Sequence, residues 1–143
     1  MCLRYPVILK PDDNDTLTVR FPDIPQVITY GVNEFEALYM AQDALVTLFC
    51  GLMEDQQPIP HPSKPKKDQP TVSLPPLVTA KLAIYQAMRD QGVSEAEMCT
   101  RLHCDLRHIR RLLDLDHETH LKHIEAALAE LGKRLTITIQ DAA

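Results

Sequence analysis

Four groups of residues have types and spacing that could do chemistry. Cys99, His103, Cys104 and His108 fall within ten residues and carry the atoms that hold zinc. Structural zinc sites pair a C-x2-4-C with a second, distant ligand pair. Here the two cysteines fall instead on positions that a helical motif buries, and no metal is expected. His117, His120 and His123 lie three apart, so consecutive pairs could share a helix face. No carboxylate or cysteine completes a metal shell with them at helical spacing, and they are expected as solvated helix histidines. Asp12, Asp13, Asp15 and Asp23 supply enough carboxylates to hold a divalent ion as nucleases do. Acids crowded into a turn are more often solvated turn formers. Residues 1–57 contain no histidine, and nothing there resembles a Ser-His or Cys-His pair. No catalytic residue and no cofactor are therefore expected. Last, Arg107, Arg110 and Arg111 place three guanidinium groups within five residues, suited to phosphates or guanine edges.

The elements that must position these groups come from a chain of 143 residues, 45% hydrophobic, with 24% charged residues, 11 prolines and no tryptophan. That is room for one ordinary domain or two small ones. The longest nearly apolar stretch, Ala44 to Met53, is ten residues, short of the roughly 20 that span a bilayer. The start, Met1-Cys2-Leu3-Arg4-Tyr5-Pro6, lacks the pattern of a secretion signal. Cytoplasmic placement, reduced cysteines and no membrane association are expected.

The net charge of −5 is unevenly spread. Residues 1–57 carry three bases and nine acids, residues 58–79 three lysines and one acid, and residues 80–143 nine bases and ten acids. The local balances are −6, +2 and −1, which suggests two modules with different partners. Seven of the prolines fall between Pro58 and Pro76, and no helix runs through such a stretch. Residues 56–70 are expected as an extended, exposed connector and a natural cutting site for proteases.

In the front module, Tyr5 to Lys10 and Thr16 to Phe21 run apolar and β-branched around the turn residues Pro11 to Asp15. This predicts a β-hairpin. Pro22 to Pro25 breaks the second strand, and Val27 to Tyr30 makes a short third one ending at Gly31. Asn33 followed by Glu36 is a capping box. The helix it opens runs over 34–53, with Ala37, Leu38, Ala41, Ala44, Leu45, Leu48, Phe49 and Leu52 on its sheet-facing stripe. Thr71 to Leu74 returns as a fourth strand. The order βββαβ makes an α+β domain with one helical layer.

Phe21-Pro22-Asp23-Ile24-Pro25, then Thr29-Tyr30-Gly31, Glu36-Ala37-Leu38, Ala41, Ala44-Leu45 and Ile59-Pro60-His61-Pro62-Ser63 resemble the N-terminal domain of the HicB antitoxin family over about residues 4 to 76. The resemblance implies a partial RNase H-like βββαβ fold without retained catalysis. It also implies a partner, the HicA toxin, a small basic RNA-cleaving protein that this domain binds and occludes. An acidic surface suits such a partner, and Asp12, Asp13, Asp15 and Asp23 are the expected toxin contacts.

In the rear module, Pro75-Pro76 opens a helix whose stripe, Leu77, Ala80, Lys81, Ile84, Ala87 and Met88, ends before Gly92. Ser94 and Glu97 form a second capping box for a helix reaching Leu102, and Asp105 caps a third helix over 106–113. Asp116 is expected to cap a fourth, running to Leu131. Met98, Cys99, Leu102, Cys104, Ile109 and Leu112 occupy the offsets where helix-turn-helix motifs of the phage-repressor type carry buried residues. Cys99 stands where such motifs prefer alanine, and His103 where they prefer glycine. The exposed residues of the second motif helix, and the expected DNA contacts, are then Leu106, Arg107, His108, Arg110 and Arg111. Arg134 to Gln140 alternates, with Leu135, Ile137 and Ile139 on one face. A lone strand is unstable, so it must pair with the same strand of a second chain, giving a two-fold dimer or higher even oligomer, or with the front sheet.

The sequence therefore predicts two domains, a toxin-binding one over 1–76 that includes the connector and an all-α helix-turn-helix one over 77–143 with a terminal dimerisation strand. The function expected is an antitoxin that neutralises a HicA-like toxin and represses its own operon at operator DNA. A stand-alone transcription regulator with a protein- or ligand-binding front domain, and a metal-dependent nuclease using the front carboxylates, are the alternatives.

Overall fold

The structure, a computed structural model, describes residues 3–142 and shows mixed α+β architecture. The chain divides into two compact units between Thr79 and Ala80.

Unit 1 holds strands β1 (Arg4–Pro6), β2 (Ile8–Pro11), β3 (Leu17–Phe21) and β4 (Ile24–Gly31), helix α1 (Glu34–Glu54) and strand β5 (Thr71–Ser73). The antiparallel sheet β2-β3-β4 and the antiparallel pair β1-β5 are separate ladders. The stretch expected as one strand, Tyr5 to Lys10, is thus split. Tyr5, Pro6 and Val7 are all buried, which breaks the two-residue alternation of a single strand. Pro6 has no N–H to continue a ladder, and the Val7 amide turns to the Pro70 carbonyl at 2.9 Å. The third strand starts earlier than expected. Phe21 pairs with Ile24 while Arg20 pairs with Ile28, so residues 25–27 bulge out of the ladder. Pro25 sits in that bulge, where its missing N–H leaves no ladder bond unmade.

Asn33 caps α1 by accepting from the Glu36 amide at 2.8 Å, and the Glu36 carboxylate accepts from the Val32 amide at 3.0 Å. The expected capping box is present with its return bond one residue earlier. Ala37, Ala41, Leu45, Phe49 and Met53 bury completely or nearly so, while Leu38, Ala44, Leu48 and Leu52 are half-buried at the stripe's edges. The core closes on the Tyr5 and Phe49 rings, tilted with centroids 5.6 Å apart. Gly31 makes the strand-to-helix junction possible: a Cβ there would lie 2.3 Å from the Ala37 nitrogen. By length and composition α1 alone among the described helices could cross a bilayer; its buried stripe is the one that covers the sheet.

The Pro-rich stretch has no helix or strand over 56–70, yet it is not a free spacer. Ile59 is buried, the Tyr5 hydroxyl donates to the Pro60 carbonyl at 2.6 Å, and the Asp23 carboxylate accepts from the Ser63 amide (2.8 Å) and hydroxyl (3.1 Å). Gln69 donates to the Val7 carbonyl at 3.4 Å. These bonds fasten the expected connector along unit 1 as a strap.

Unit 2 begins within α2 (Pro76–Gln91) and continues through α3 (Glu95–Leu102), α4 (Leu106–Leu113) and α5 (Leu121–Glu130). Gly92, in left-handed conformation (φ 64°), ends α2 as expected. The last helix starts four residues later than Asp116 would place it, and His120 precedes it with no side-chain cap. The cause is Lys81, fully buried in the apolar stripe of α2. Its ammonium donates to the carbonyls of Arg111 (2.7 Å), Asp114 (2.6 Å) and His117 (2.7 Å). Those bonds hold 114–117 as a loop, and Asp114, through its Oδ1, accepts from the Asp116 amide instead of letting Asp116 open a helix. Residues 134–140 form no strand and join neither sheet. Leu135 is half-buried, Ile137 is 64% and Ile139 87% exposed. Without a ladder partner an isolated strand does not hold.

Candidate functional site

The pair α3 and α4 is defined at every junction by a named group. The Ser94 hydroxyl accepts from the Glu97 amide at 3.1 Å, and the Asp105 carboxylate from the His108 amide at 3.0 Å. Between the helices His103 takes the left-handed conformation (φ 52°, ψ 46°), so histidine fills the position where glycine would be unstrained. The Cys104 amide bonds back to the Cys99 carbonyl at 3.1 Å, closing the turn. Met98, Ile109 and Leu112 are fully buried; Cys99, Leu102 and Cys104 are half-buried. Burial raises the Cys104 thiol above its ordinary range, with Cys99 beside it adding to the effect. Arg101 pairs with Glu97 at 3.1 Å and donates to the Glu130 carbonyl at 3.1 Å, which ties α3 to the end of α5.

The outward face of α4 carries Leu106, Arg107, Arg110 and Arg111, all exposed. Among the described residues none of these three guanidinium groups has an ion-pair partner. His108 is different: it is half-buried and turns toward α5, its ring centroid 4.8 Å from that of His123. His120 in turn lies 5.7 Å from His123. Burial, followed by the neighbouring His108, Lys122 and His120, keeps His123 below the usual histidine range. The three-residue spacing of the histidines carried this signal, but only the α4–α5 packing adds His108 to it.

In unit 1 the hairpin acids divide by role. The Asp12 carboxylate accepts from the Asn14 amide (2.9 Å), the Thr16 amide (3.3 Å) and the hydroxyls of Thr16 and Thr18, so it organises its own turn. The Thr16 hydroxyl and Asn14 amide hold its pKa below the ordinary carboxylate value. Asp13 and Asp15 are exposed, and Asp23 is half-buried on Ser63. Among the described residues no three His, Cys, Asp or Glu side chains converge as a metal-binding set. Exposed aromatics were not foreseen: Phe35 is 83% and Tyr39 63% exposed, and they line a shallow cavity of about 300 Å³ with Leu38, Gln42 and the edge of β5. Their four-residue spacing, off the buried stripe of α1, was the available signal.

Residues 4–83 match the family described as HicB-like antitoxin of bacterial toxin-antitoxin systems. The chain belongs to the HicB-like antitoxin family. Antitoxin HicB 2 of Photorhabdus laumondii is 39% identical over 94% of this chain and 95% of its own length. Antitoxin HicB 1 of the same organism is 34% identical over 96% and 88%, and Antitoxin HicB of Escherichia coli K12 is 32% identical over 96% and 99%. The family match covers unit 1 and enters α2, while the similarity to these HicB proteins extends through most of unit 2. Membership in an antitoxin family implies a toxin as partner.

Proposed function

We propose that this HicB-like antitoxin neutralises a HicA-like, mRNA-cleaving toxin through unit 1 and represses its own operon by binding operator DNA through unit 2. It acts in the cytoplasm as a binding protein without a catalytic step. The observation that carries the DNA-binding half is two short helices joined by a tight turn at Ser94 to Leu113, with three outward, unpaired arginines on the second helix. Residues Leu106, Arg107, Arg110 and Arg111 enter the major groove and His108 lines its margin. Two such units read two half-sites about one helical turn apart, which requires a dimer. Pairing of 134–140 between two chains, with Leu135, Ile137 and Ile139 on one face, would supply it.

For the toxin contact, unit 1 is read as a partial RNase H-like fold. Asp12, Asp13, Asp15 and Asp23 give it an acidic rim that would steer a basic partner. The Thr16 hydroxyl favours the charged form of Asp12. Exposed Phe35 and Tyr39 provide apolar anchors of the kind that dominate interfaces.

Co-expression of the tagged chain with a small basic HicA-like toxin tests the first half, and binding of the purified chain to the DNA upstream of its own gene tests the second. Co-elution with silenced RNA cleavage, and specific DNA retention at about 150 mM salt, are the expected results. Failure to co-elute with any such protein would leave a transcription regulator alone.

A further inference from the structure

Unit 2 carries a cavity of about 290 Å³ between α4 and the start of α5, lined by His108, Arg111, His117, Thr119, His120 and His123. Glu118 is the one carboxylate in the lining. Four imidazoles and a guanidinium form a set rich in donors, while the Thr119 hydroxyl donates to the Arg111 carbonyl at 3.4 Å and lies 3.1 Å from His117 Nδ1; Arg111 belongs both to this wall and to the outward face of α4. Among the described residues no three ligating side chains converge on a metal position.

We propose that this cavity takes a phosphate group of the DNA backbone, so that His120 and His123 extend the contact surface of α4 and the complex holds an imidazole proton that the free protein lacks. The proposal rests on the DNA-binding reading of unit 2. Its physical basis is the packing of the rings. His108 and His123 stand 4.8 Å apart, and His120 and His123 5.7 Å apart. Two imidazolium ions so close repel one another. The groups facing His123 are His108 and Arg111 on α4, His117, Glu118 and His120 in the loop, and Lys122 on α5, a set with more cationic than anionic members. In the free protein His123 is therefore held below the usual histidine range. A phosphate oxygen seated among the rings reverses that balance, because it favours the charged form of whichever imidazole donates to it. Binding then takes up a proton, and affinity rises as pH falls, by at most about tenfold per pH unit for one proton.

The test measures binding of the full chain, by fluorescence anisotropy, to a duplex of the DNA upstream of its own gene at pH 6 and pH 8 at fixed ionic strength. Alongside it, histidine ring resonances are titrated with pH in inorganic phosphate and in chloride. Wild type is expected to bind about tenfold tighter at pH 6 than at pH 8. His123→Gln and the more exposed His120→Gln should each reduce that ratio to less than about threefold, whereas Arg107→Ala should weaken binding at both pH values and keep the ratio. Phosphate should raise the titration midpoint of His123. Unchanged pH ratios in both histidine variants, with DNA binding intact, would overturn the phosphate pocket and leave the DNA-binding reading standing. A His123 midpoint that responds to phosphate in a protein that retains no DNA would overturn the backbone-phosphate proposal together with the DNA-binding reading, and would leave a pocket for free phosphate.

Discussion

The Lys81 ammonium on α2 donates a 2.7 Å hydrogen bond to the carbonyl of Arg111 on α4, linking the core of unit 2 to the helix that bears its outward arginines. The same nitrogen holds the carbonyls of Asp114 and His117, which the end of α4 and the following loop leave without helical partners. Burial lowers the Lys81 pKa from the usual lysine range, and the nearby Asp114 opposes that shift. Replacing Lys81 by Met keeps the volume but takes one bond from each of three inward carbonyls, of which those of Arg111 and Asp114 keep backbone amides at 3.3 and 3.1 Å. A loss of about 3 kcal/mol is expected, read as a lower urea midpoint, with DNA affinity falling as 111–117 loosens. Wild-type stability in Lys81→Met would show that the carbonyls find other partners.

The two glycines of unit 1 should respond in opposite ways. Gly31→Ala drives a Cβ into the backbone at Ala37 and should cost about 1–3 kcal/mol. Gly51, inside α1, has nothing within 4 Å of a built Cβ. Gly51→Ala should stabilise by about 0.5–1 kcal/mol through helix propensity. Thermal unfolding of the pair checks both signs, and equal shifts would contradict the packing at Gly31.

Substituting Arg107, Arg110 and Arg111 one at a time separates positioning from reading. An arginine on phosphate should reduce the salt slope of DNA binding by about one and weaken all sequences alike. One on a base edge should cost about 1–3 kcal/mol and relax specificity at one position. The triple alanine variant should lose operator binding while retaining the wild-type helical signal, since all three side chains are exposed.

Phe35→Ser combined with Tyr39→Ser should weaken toxin binding by at least about tenfold. Because both rings are exposed, unfolding of the free antitoxin should change little. Calorimetric titration with the toxin distinguishes this from loss of fold, and an unaltered affinity would remove these rings from the interface.

Asp12 gives a pH-dependent signature. Its pKa in the folded chain lies below the ordinary value, chiefly through the Thr16 hydroxyl and then the Asn14 amide. The folded state therefore binds this proton less readily than the unfolded one, and the contribution is present at neutral pH and lost as pH falls through the folded-state pKa. Asp12→Asn should be less stable than wild type at pH 7, with the difference shrinking below about pH 4. Urea titrations at several pH values would show the two curves converge; parallel curves would sink the assignment.

Where local chemistry decides the structure, the sequence was legible. Ser94, Asp105 and Asn33 cap the helices expected of them, and 106–113 is helical as predicted. The misreadings share a different cause, bonds between residues far apart in the chain. Asp116 looks like a cap until Lys81, some 30 residues earlier, claims the loop carbonyls. Tyr5 to Lys10 looks like one strand until Pro70 takes the Val7 amide. The prolines of 56–70 mark an extended connector, as the structure has it, but do not reveal that Tyr5 and Asp23 fasten it along unit 1. Of the candidate site, the arginine face was visible from spacing alone, whereas the meeting of His108 with His123 needed the packing of two helices.

The pairing of β1 with β5 also bears on the order in which a ribosome delivers this antitoxin. Strands β2, β3 and β4 and helix α1 are neighbours in sequence and can assemble as they emerge. Arg4, among the first residues made, must wait for Ser73 to find its ladder partner. Until then β1 is an open edge on a nascent chain, and unit 1 is finished only once half of the protein has been translated. The delay between synthesis and competence of this antitoxin is then set by this one long-range closure.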